Sequence, residues 1–283
     1  MNPETKRTFK VAILLCLVCS VVVSSLAVGL KDIQNQKKEA FRQQSILSAA
    51  GKWTEGADAA ELFKEFITSV VVDLEINKAT DRYQADDSRL DVAFAQRTPE
   101  FNDPLDSAAD VAGIMKREKY SIVYEVREEE GAPVTVLVLP IRGRGLWSTL
   151  YGFVALDLVN AADGATGLKV KGLTYYKHGE TPGLGGEVDN PLFKDRWPGR
   201  LIYDKEWNVK VEVVKNASTE SEYQVDALSG ATLTSNGVTN MLRFWLGEDG
   251  FGPYLQNTLS GTTPPATSTD DPPKHSAVSG SRN

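Results

Sequence analysis

The sequence is poor in cysteine and has no recognisable nucleotide-binding loop. Its two cysteines, Cys16 and Cys19, lie inside a long apolar run, where neither a thiolate nor a metal ion would be solvated. We therefore expect no metal site and no redox role for this pair, and the rest of the chain contains no cysteine for a disulfide. Neither a GxGxxG motif nor a P-loop occurs, so nothing indicates a site of its own for NADH or ATP.

Positive charge is also scarce. The chain has 31 Lys and Arg against 38 Asp and Glu, a net charge of −7 at pH 7. The first ten residues contain Lys6, Arg7 and Lys10 against Glu4, so the remainder is more acidic than the total. An acidic body repels the phosphate backbone, and we expect no nucleic-acid partner.

The apolar run extends from Val11 to Leu30 and contains no charged residue. At about 1.5 Å per residue it is long enough to cross a bilayer core of about 30 Å. It predicts one transmembrane helix over residues 11–30, after a cytoplasmic arm of residues 1–10. The alternative is a cleaved signal peptide, because Ser25-Leu26-Ala27 fits a small-x-small site, but the run exceeds the usual apolar length of about 7–15 residues.

Helical patterns follow the apolar run. Residues 31–50 predict a juxtamembrane helix, and 58–74 predict a second, whose apolar face comprises Leu62, Phe63, Phe66, Ile67 and Val70. Residues 75–115 show no strong periodicity and are predicted to be irregular. We assign residues 31–118 as a whole to a juxtamembrane helical region. At the other end, residues 259–283 are rich in Thr, Pro, Ser and Asp and predict a disordered tail.

Strand patterns occupy the central domain, which we assign to residues 119–258. Alternating apolar residues on both sides of a Glu-Glu-Gly turn, near 122–126 and 134–138, predict a β-hairpin. Further strands are predicted over 151–159 and 168–176 and through Val209, Val211 and Val213. Strands in the middle with helices at both ends indicate an α+β fold, in which the transmembrane helix precedes a mainly antiparallel sheet with flanking helices.

A short loop before the last helical pattern suggests a phosphate site. Ser229, Gly230 and Ala231 carry little side-chain bulk, so a phosphate can approach their backbone N–H groups, and Thr232 supplies a hydroxyl. The next residues predict a helix whose buried stripe is Val238, Met241, Leu242, Trp245 and Leu246. The first turn of a helix favours an anion.

The hydroxyls of Thr234 and Ser235 are expected to cap this first turn. The alternative to a phosphate site is that all of these hydroxyls serve as helix caps.

The loop also carries a resemblance. Asp226, two free positions and then Ser229-Gly230-Ala231-Thr232 are similar to the flavinylation motif of the FMN-binding domain family. In that family the final Thr carries FMN through a phosphoester bond. The resemblance implies covalent FMN on Thr232, while the preceding residues shape the loop or are recognised by a flavin transferase.

A second glycine-rich connection resembles the segment that accompanies this threonine in the family and packs against its isoalloxazine ring. The resemblance implies that the ring is lined by Glu180, Thr181, Pro182, Gly183, Leu184 and Gly185. His178 is equally compatible with a surface histidine that caps a turn. A third connection, 142–147, would place Trp147 beside the flavin, although a lone Gly-rich segment is more often a tight turn.

Residues 146–157 resemble the family of C subunits of sodium-translocating NADH:quinone reductases, and the resemblance extends over most of residues 5–258. It implies an electron carrier without catalytic residues, which relays electrons from NADH toward ubiquinone in an assembly of several subunits that exports sodium. The implied location is the bacterial inner membrane, with a cytoplasmic N-terminus and a periplasmic flavin domain.

Three alternatives to this assignment remain. The G subunit of the Rnf electron-transport complex shares both flavin motifs but is shorter. A flavin-free anchored binding or assembly module and a freestanding flavin reductase are the others, and the missing nucleotide motif weighs against the reductase.

Overall fold

The structure, a computed structural model, describes residues 2–129, 131–158 and 167–260. It begins with helix α1 (Pro3–Gly29), followed by helix α2 (Lys31–Ala50). No residue of α1 is buried, and among the described residues α1 is the one helix long and apolar enough to cross a membrane. It starts before the apolar run because Pro3 and Glu4 occupy its first turn, where both residue types are favoured.

Ten strands and five further α-helices follow α2 in the described part of the chain. They are α3 (Ala59–Phe66), β1 (Ile67–Asp73), β2 (Lys78–Ala79), α4 (Val92–Arg97), β3 (Asn102–Pro104), β4 (Lys116–Glu118), β5 (Tyr120–Val126), β6 (Val136–Arg144), β7 (Thr149–Asp157), β8 (Lys169–Lys177), α5 (Pro191–Lys194), β9 (Glu212–Val214), β10 (Gln224–Asp226), α6 (Thr232–Leu246) and α7 (Gly252–Leu259). The tail predicted over 259–283 begins on the last residue of α7, and from residue 261 it lies outside the described residues.

One large sheet forms the centre of the domain. Its strand order is β2-β1-β5-β6-β7-β8, and every neighbouring pair is antiparallel. The predicted hairpin is therefore confirmed as β5–β6. Of the strand predicted through Val209, Val211 and Val213, only β9 forms, and it pairs in parallel with β10, while Val209 makes an isolated bridge to Tyr203.

The second predicted helix is wrong beyond Phe66. Residues 67–73 form β1, which pairs with β5 from Ile67 opposite Val126 to Asp73 opposite Tyr120. This segment is rich in β-branched residues, which favour an extended chain. Residues 31–118 are consequently not a separate helical region, because β1 belongs to the central sheet and the end of α2 is buried against it.

Helices flank the sheet, as predicted, and the structure places them on both of its faces. On one face, Ile46 and Leu47 of α2 pack with Tyr124 and Phe153 of the strands. On the other, α6 buries the whole predicted stripe, comprising Val238, Met241, Leu242, Trp245 and Leu246.

Two glycines allow α6 to lie directly on the end of β6. A Cβ added to Gly237 would be 2.2 Å from the carbonyl oxygen of Arg144, and one added to Gly143 would be 2.7 Å from Cβ of Met241. No side chain fits at either position. The first turns of α6 are thus held against the tip of the β6–β7 hairpin.

Candidate functional site

Thr232 is the first residue of α6, and its side chain is exposed. The preceding residue, Ala231, occupies the N-cap position and offers no side-chain hydrogen bond. Within the described ranges, the backbone N–H groups of Thr232, Leu233 and Thr234 donate to no acceptor. A free hydroxyl therefore stands beside three free amides at the positive end of a helix.

Thr234 and Ser235 do not cap this turn, so that expectation is wrong. Thr234 is fully buried, and its Oγ1 donates to Oε2 of Glu180 at 2.8 Å. The Ser235 hydroxyl accepts the backbone N–H of Leu228 at 3.1 Å. Because α6 begins at Thr232, the third and fourth positions of its first turn face the protein interior, which leaves the first two exposed.

The loop before α6 leads out of β10. The Asp226 carboxylate accepts the N–H of Ala217 at 2.8 Å, so it fixes the start of the loop. Ser229 is exposed and Ala231 is buried. Gly230 has φ +72°, and a Cβ there would lie 3.1 Å from Cδ2 of Leu184. The two predicted motifs therefore meet at this point.

Leu184 belongs to a tight turn in the second glycine-rich segment. Both Leu184 and Gly186 donate their N–H to the carbonyl oxygen of Thr181, at 3.1 and 2.9 Å, and Gly183 has φ +75°. Thr181, Pro182, Gly183 and Leu184 are exposed. Gly185 is buried instead, and a Cβ there would be 2.6 Å from Oγ1 of Thr234, so close contact with α6 requires glycine.

Glu180 lies in the interior, although sequence reasoning assigned it to the ring lining. Its side chain is 5% exposed. Its Oε1 accepts the N–H groups of Trp147 and Ser148 and the Ser148 hydroxyl, each at 3.0 Å, while its Oε2 accepts the N–H of Leu146 at 3.1 Å and the Thr234 hydroxyl. We call Glu180 and these partners the Glu180 cluster.

The surroundings of Glu180 act on its pKa in opposite directions. Burial alone would raise the pKa of this carboxyl group. Hydrogen bonds from the Thr234 hydroxyl, the amides of Trp147 and Ser148 and the Ser148 hydroxyl outweigh burial, so the pKa is below its ordinary value. Glu180 is accordingly a carboxylate at neutral pH.

Trp147 is at the tip of the β6–β7 hairpin and is 70% exposed, next to Leu146 at 41%. A Cβ on Gly145 would be 2.6 Å from Oε1 of Glu180, which explains the glycine in this connection. His178 accepts the N–H of Glu180 on Nδ1 at 3.3 Å and so caps the turn.

Comparison with known proteins agrees with this arrangement. The model of the FMN-binding domain family matches residues 145–247, which include the hairpin tip, both loops and α6. The crystal structure of Shewanella oneidensis NqrC superposes with a TM-score of 0.69 at 28% identity, and the match covers 80% of this chain and 99% of that one.

Curated relatives extend the similarity to nearly the full length. The C subunit of the Na+-translocating NADH-quinone reductase of Pseudomonas aeruginosa is 44% identical over 91% of this chain and 97% of its own. Its counterpart of the same name from Vibrio alginolyticus is 41% identical over 92% of this chain and 97% of its own. The chain therefore belongs to the NqrC family, the C subunits of Na+-translocating NADH-quinone reductases.

Proposed function

We propose that this chain carries FMN as a phosphoester on Thr232 and relays electrons within the Na+-translocating NADH-quinone reductase, from NADH toward ubiquinone. The observation that carries the proposal is the exposed Thr232 hydroxyl beside three unpaired amides, inside the region matched by the FMN-binding domain model. When bound, FMN supplies the electron chemistry, since it is reduced and reoxidised reversibly.

The residues around Thr232 fit such a group. The free amides and the helix dipole stabilise a phosphate. Exposed apolar side chains in the three segments that meet here offer a surface for a planar ring, namely Leu146, Trp147, Leu184 and Leu233, which are 41–70% exposed. Large apolar side chains left open to solvent in one region commonly mark a ligand surface.

The chain supplies the acceptor hydroxyl but not its activation. In the described part of the chain, the Thr232 hydroxyl has no hydrogen bond to a side chain that could take its proton. The carboxylate of Glu180 contacts the first turn of α6, but it already accepts five hydrogen bonds. We therefore assign attachment to a flavin transferase. With an activated flavin phosphate as donor, the Thr232 hydroxyl would accept the flavin phosphate and lose its proton, and the donor's leaving group would be released.

We further propose that α1 crosses the bacterial inner membrane with the N-terminus in the cytoplasm and the flavin domain in the periplasm. Residues 31–41 of α2 are exposed and separate α1 from the buried end of α2. At 1.5 Å per residue this segment would hold the domain roughly 16 Å away from the end of α1. Other subunits of the complex supply the NADH and quinone sites, as the absence of a nucleotide motif in the sequence suggests.

Co-production with a flavin transferase tests the attachment. The wild-type chain is expected to gain the mass of an FMN phosphoester and to show flavin fluorescence after denaturation. Thr232→Ala is expected to lose both signals. Thr219→Ala serves as the control, because Thr219 is also exposed but lies outside the site. An unchanged flavin mass in Thr232→Ala would overturn the proposal.

A further inference from the structure

We propose that Glu180 is a positioning residue for the flavin site, which fixes the hairpin tip against the first turn of α6, and that its buried charge lowers the reduction potential of the FMN. This inference rests on the proposed function. Nothing in the resemblance assigns this role, since there the segment containing Glu180 lines the ring.

The geometry shows that the Glu180 cluster is built for a carboxylate. All five contacts are donors directed at the two oxygens, from the amides of Leu146, Trp147 and Ser148 and the hydroxyls of Ser148 and Thr234. If Glu180 were protonated, its own hydroxyl hydrogen would point at one of these donors. A carboxylate accepts all five bonds, and such charge-assisted bonds are stronger than neutral ones.

The cluster connects segments that are far apart in sequence. Glu180 is separated from Ser148 by 32 residues and from Thr234 by 54. Leu146 and Trp147 are themselves exposed apolar residues of the proposed ring surface, and Thr234 is two residues beyond Thr232. The same carboxylate thus sets the position of the ring surface relative to the attachment point.

The Glu180 carboxylate has little direct contact with water, because the residue is only 5% exposed. Gly145 and Gly185 press against it so closely that an added Cβ would lie 2.6 Å from Oε1 and 2.7 Å from Oε2, respectively. Water is largely excluded from such a site, and the electrostatic effect of a charge is correspondingly greater. A nearby negative charge opposes the addition of electrons to the flavin, so removing it favours the reduced form.

The size of this effect can be bounded. As a general scale, one unit charge that acts across about 10 Å at an effective dielectric constant of about 20 changes an equilibrium on the order of tenfold. Glu180→Gln removes the charge but retains an amide oxygen that can accept the three hydrogen bonds now made to Oε1. We expect the reduced-to-oxidised ratio of the flavin at a fixed ambient potential to rise about tenfold, or about 59 mV for a one-electron couple.

Potentiometric titration of the full-length flavinylated protein tests this inference. Glu187→Gln is the matched control, because Glu187 is on the same loop but is partly exposed and bonds to Gly183 and Asn190 instead. We expect its shift to be much smaller. A wild-type potential in Glu180→Gln, or a shift equal to that of Glu187→Gln, would overturn the inference.

Thr234→Val provides a second variant if Glu180→Gln does not fold. It removes one donor and leaves the charge less compensated, so the flavin potential is expected to fall, opposite in sign to the effect of Glu180→Gln. An unchanged or higher potential would contradict the inference. Failure of the proposed function is recognised separately, because the wild-type protein would then show no flavin after denaturation.

Discussion

The hydroxyl of Thr234 donates a 2.8 Å hydrogen bond to the buried carboxylate of Glu180, across 54 positions of the sequence. This bond joins the first turn of α6 to the glycine-rich loop of residues 180–185, two motifs that the sequence linked only by resemblance. It also explains why Thr232 is free, since the helix turn is anchored through its third residue and not its first. The stability of the site therefore depends on contacts made by residues other than Thr232 itself.

Loss of the Thr234 hydroxyl is expected to destabilise the domain. Thr234→Val keeps the shape of the side chain but removes a buried donor from Glu180, at a cost of about 1–3 kcal/mol of unfolding free energy. Thermal unfolding of the protein with and without the substitution measures this loss. Thr219→Val, at an exposed position, is expected to change the melting temperature little, and equal effects of the two variants would contradict the prediction.

The contribution of Glu180 to stability is expected to depend on pH. Its pKa is lowered in the folded state, so the cluster stabilises the protein above the ordinary Glu pKa of about 4.3, and this stabilisation is lost as pH falls through the lowered value. The difference in melting temperature between wild type and Glu180→Gln should therefore be largest near neutral pH and shrink on acidification below about pH 4. A difference that widens on acidification would contradict this assignment.

Gly237 is expected to tolerate no side chain. In Gly237→Ala the new methyl group would lie 2.2 Å from the backbone oxygen of Arg144, so α6 must move away from β6. Overpacking of this kind costs about 1–3 kcal/mol and should also reduce flavin attachment at Thr232. Asn236→Ala, at the exposed neighbouring position, is the control, and wild-type behaviour of Gly237→Ala would show that the close contact is unimportant.

Removal of the anchor is expected to release a folded domain. Deletion of residues 1–30 removes α1, which contains no buried residue, so the melting temperature of the flavin domain should be retained in a soluble product. Deletion through residue 50 would instead remove Ile46 and Leu47 from the core and should abolish cooperative unfolding. A deletion of α1 that unfolds the domain would show that the core depends on it.

Most of the fold could be predicted from local patterns. The apolar run is identified by its length, and the β5–β6 hairpin and the buried stripe of α6 each have a period that identifies the element. Strand β1 was misassigned because Leu62, Phe63 and Phe66 continue into Ile67 and Val70 at helical spacing. Pairing with β5, which is distant in sequence, determined the outcome.

The site was predicted less completely than the fold. Sequence resemblance identified the loops around Thr232 and Leu184, and the structure brings them into contact. The inward direction of Glu180 and the role of Ser148 were missed, because their hydrogen bonds link residues 32 or more positions apart. No local pattern records such a pair. The position of Glu180 becomes recognisable only in the structure, where donors from the hairpin tip and from α6 converge on its carboxylate.

The junction of the first two helices couples the rotation of the domain to that of α1. Leu30, between α1 and α2, keeps a right-handed helical conformation with φ −94° and ψ −5°, and the far end of α2 is fixed in the domain core. Each residue of an α-helix turns the chain by about 100°. The number of residues in the exposed segment 31–41 therefore sets the angle at which Thr232 lies around the helix axis relative to α1, and a single inserted residue would rotate Thr232 by about 100° relative to α1.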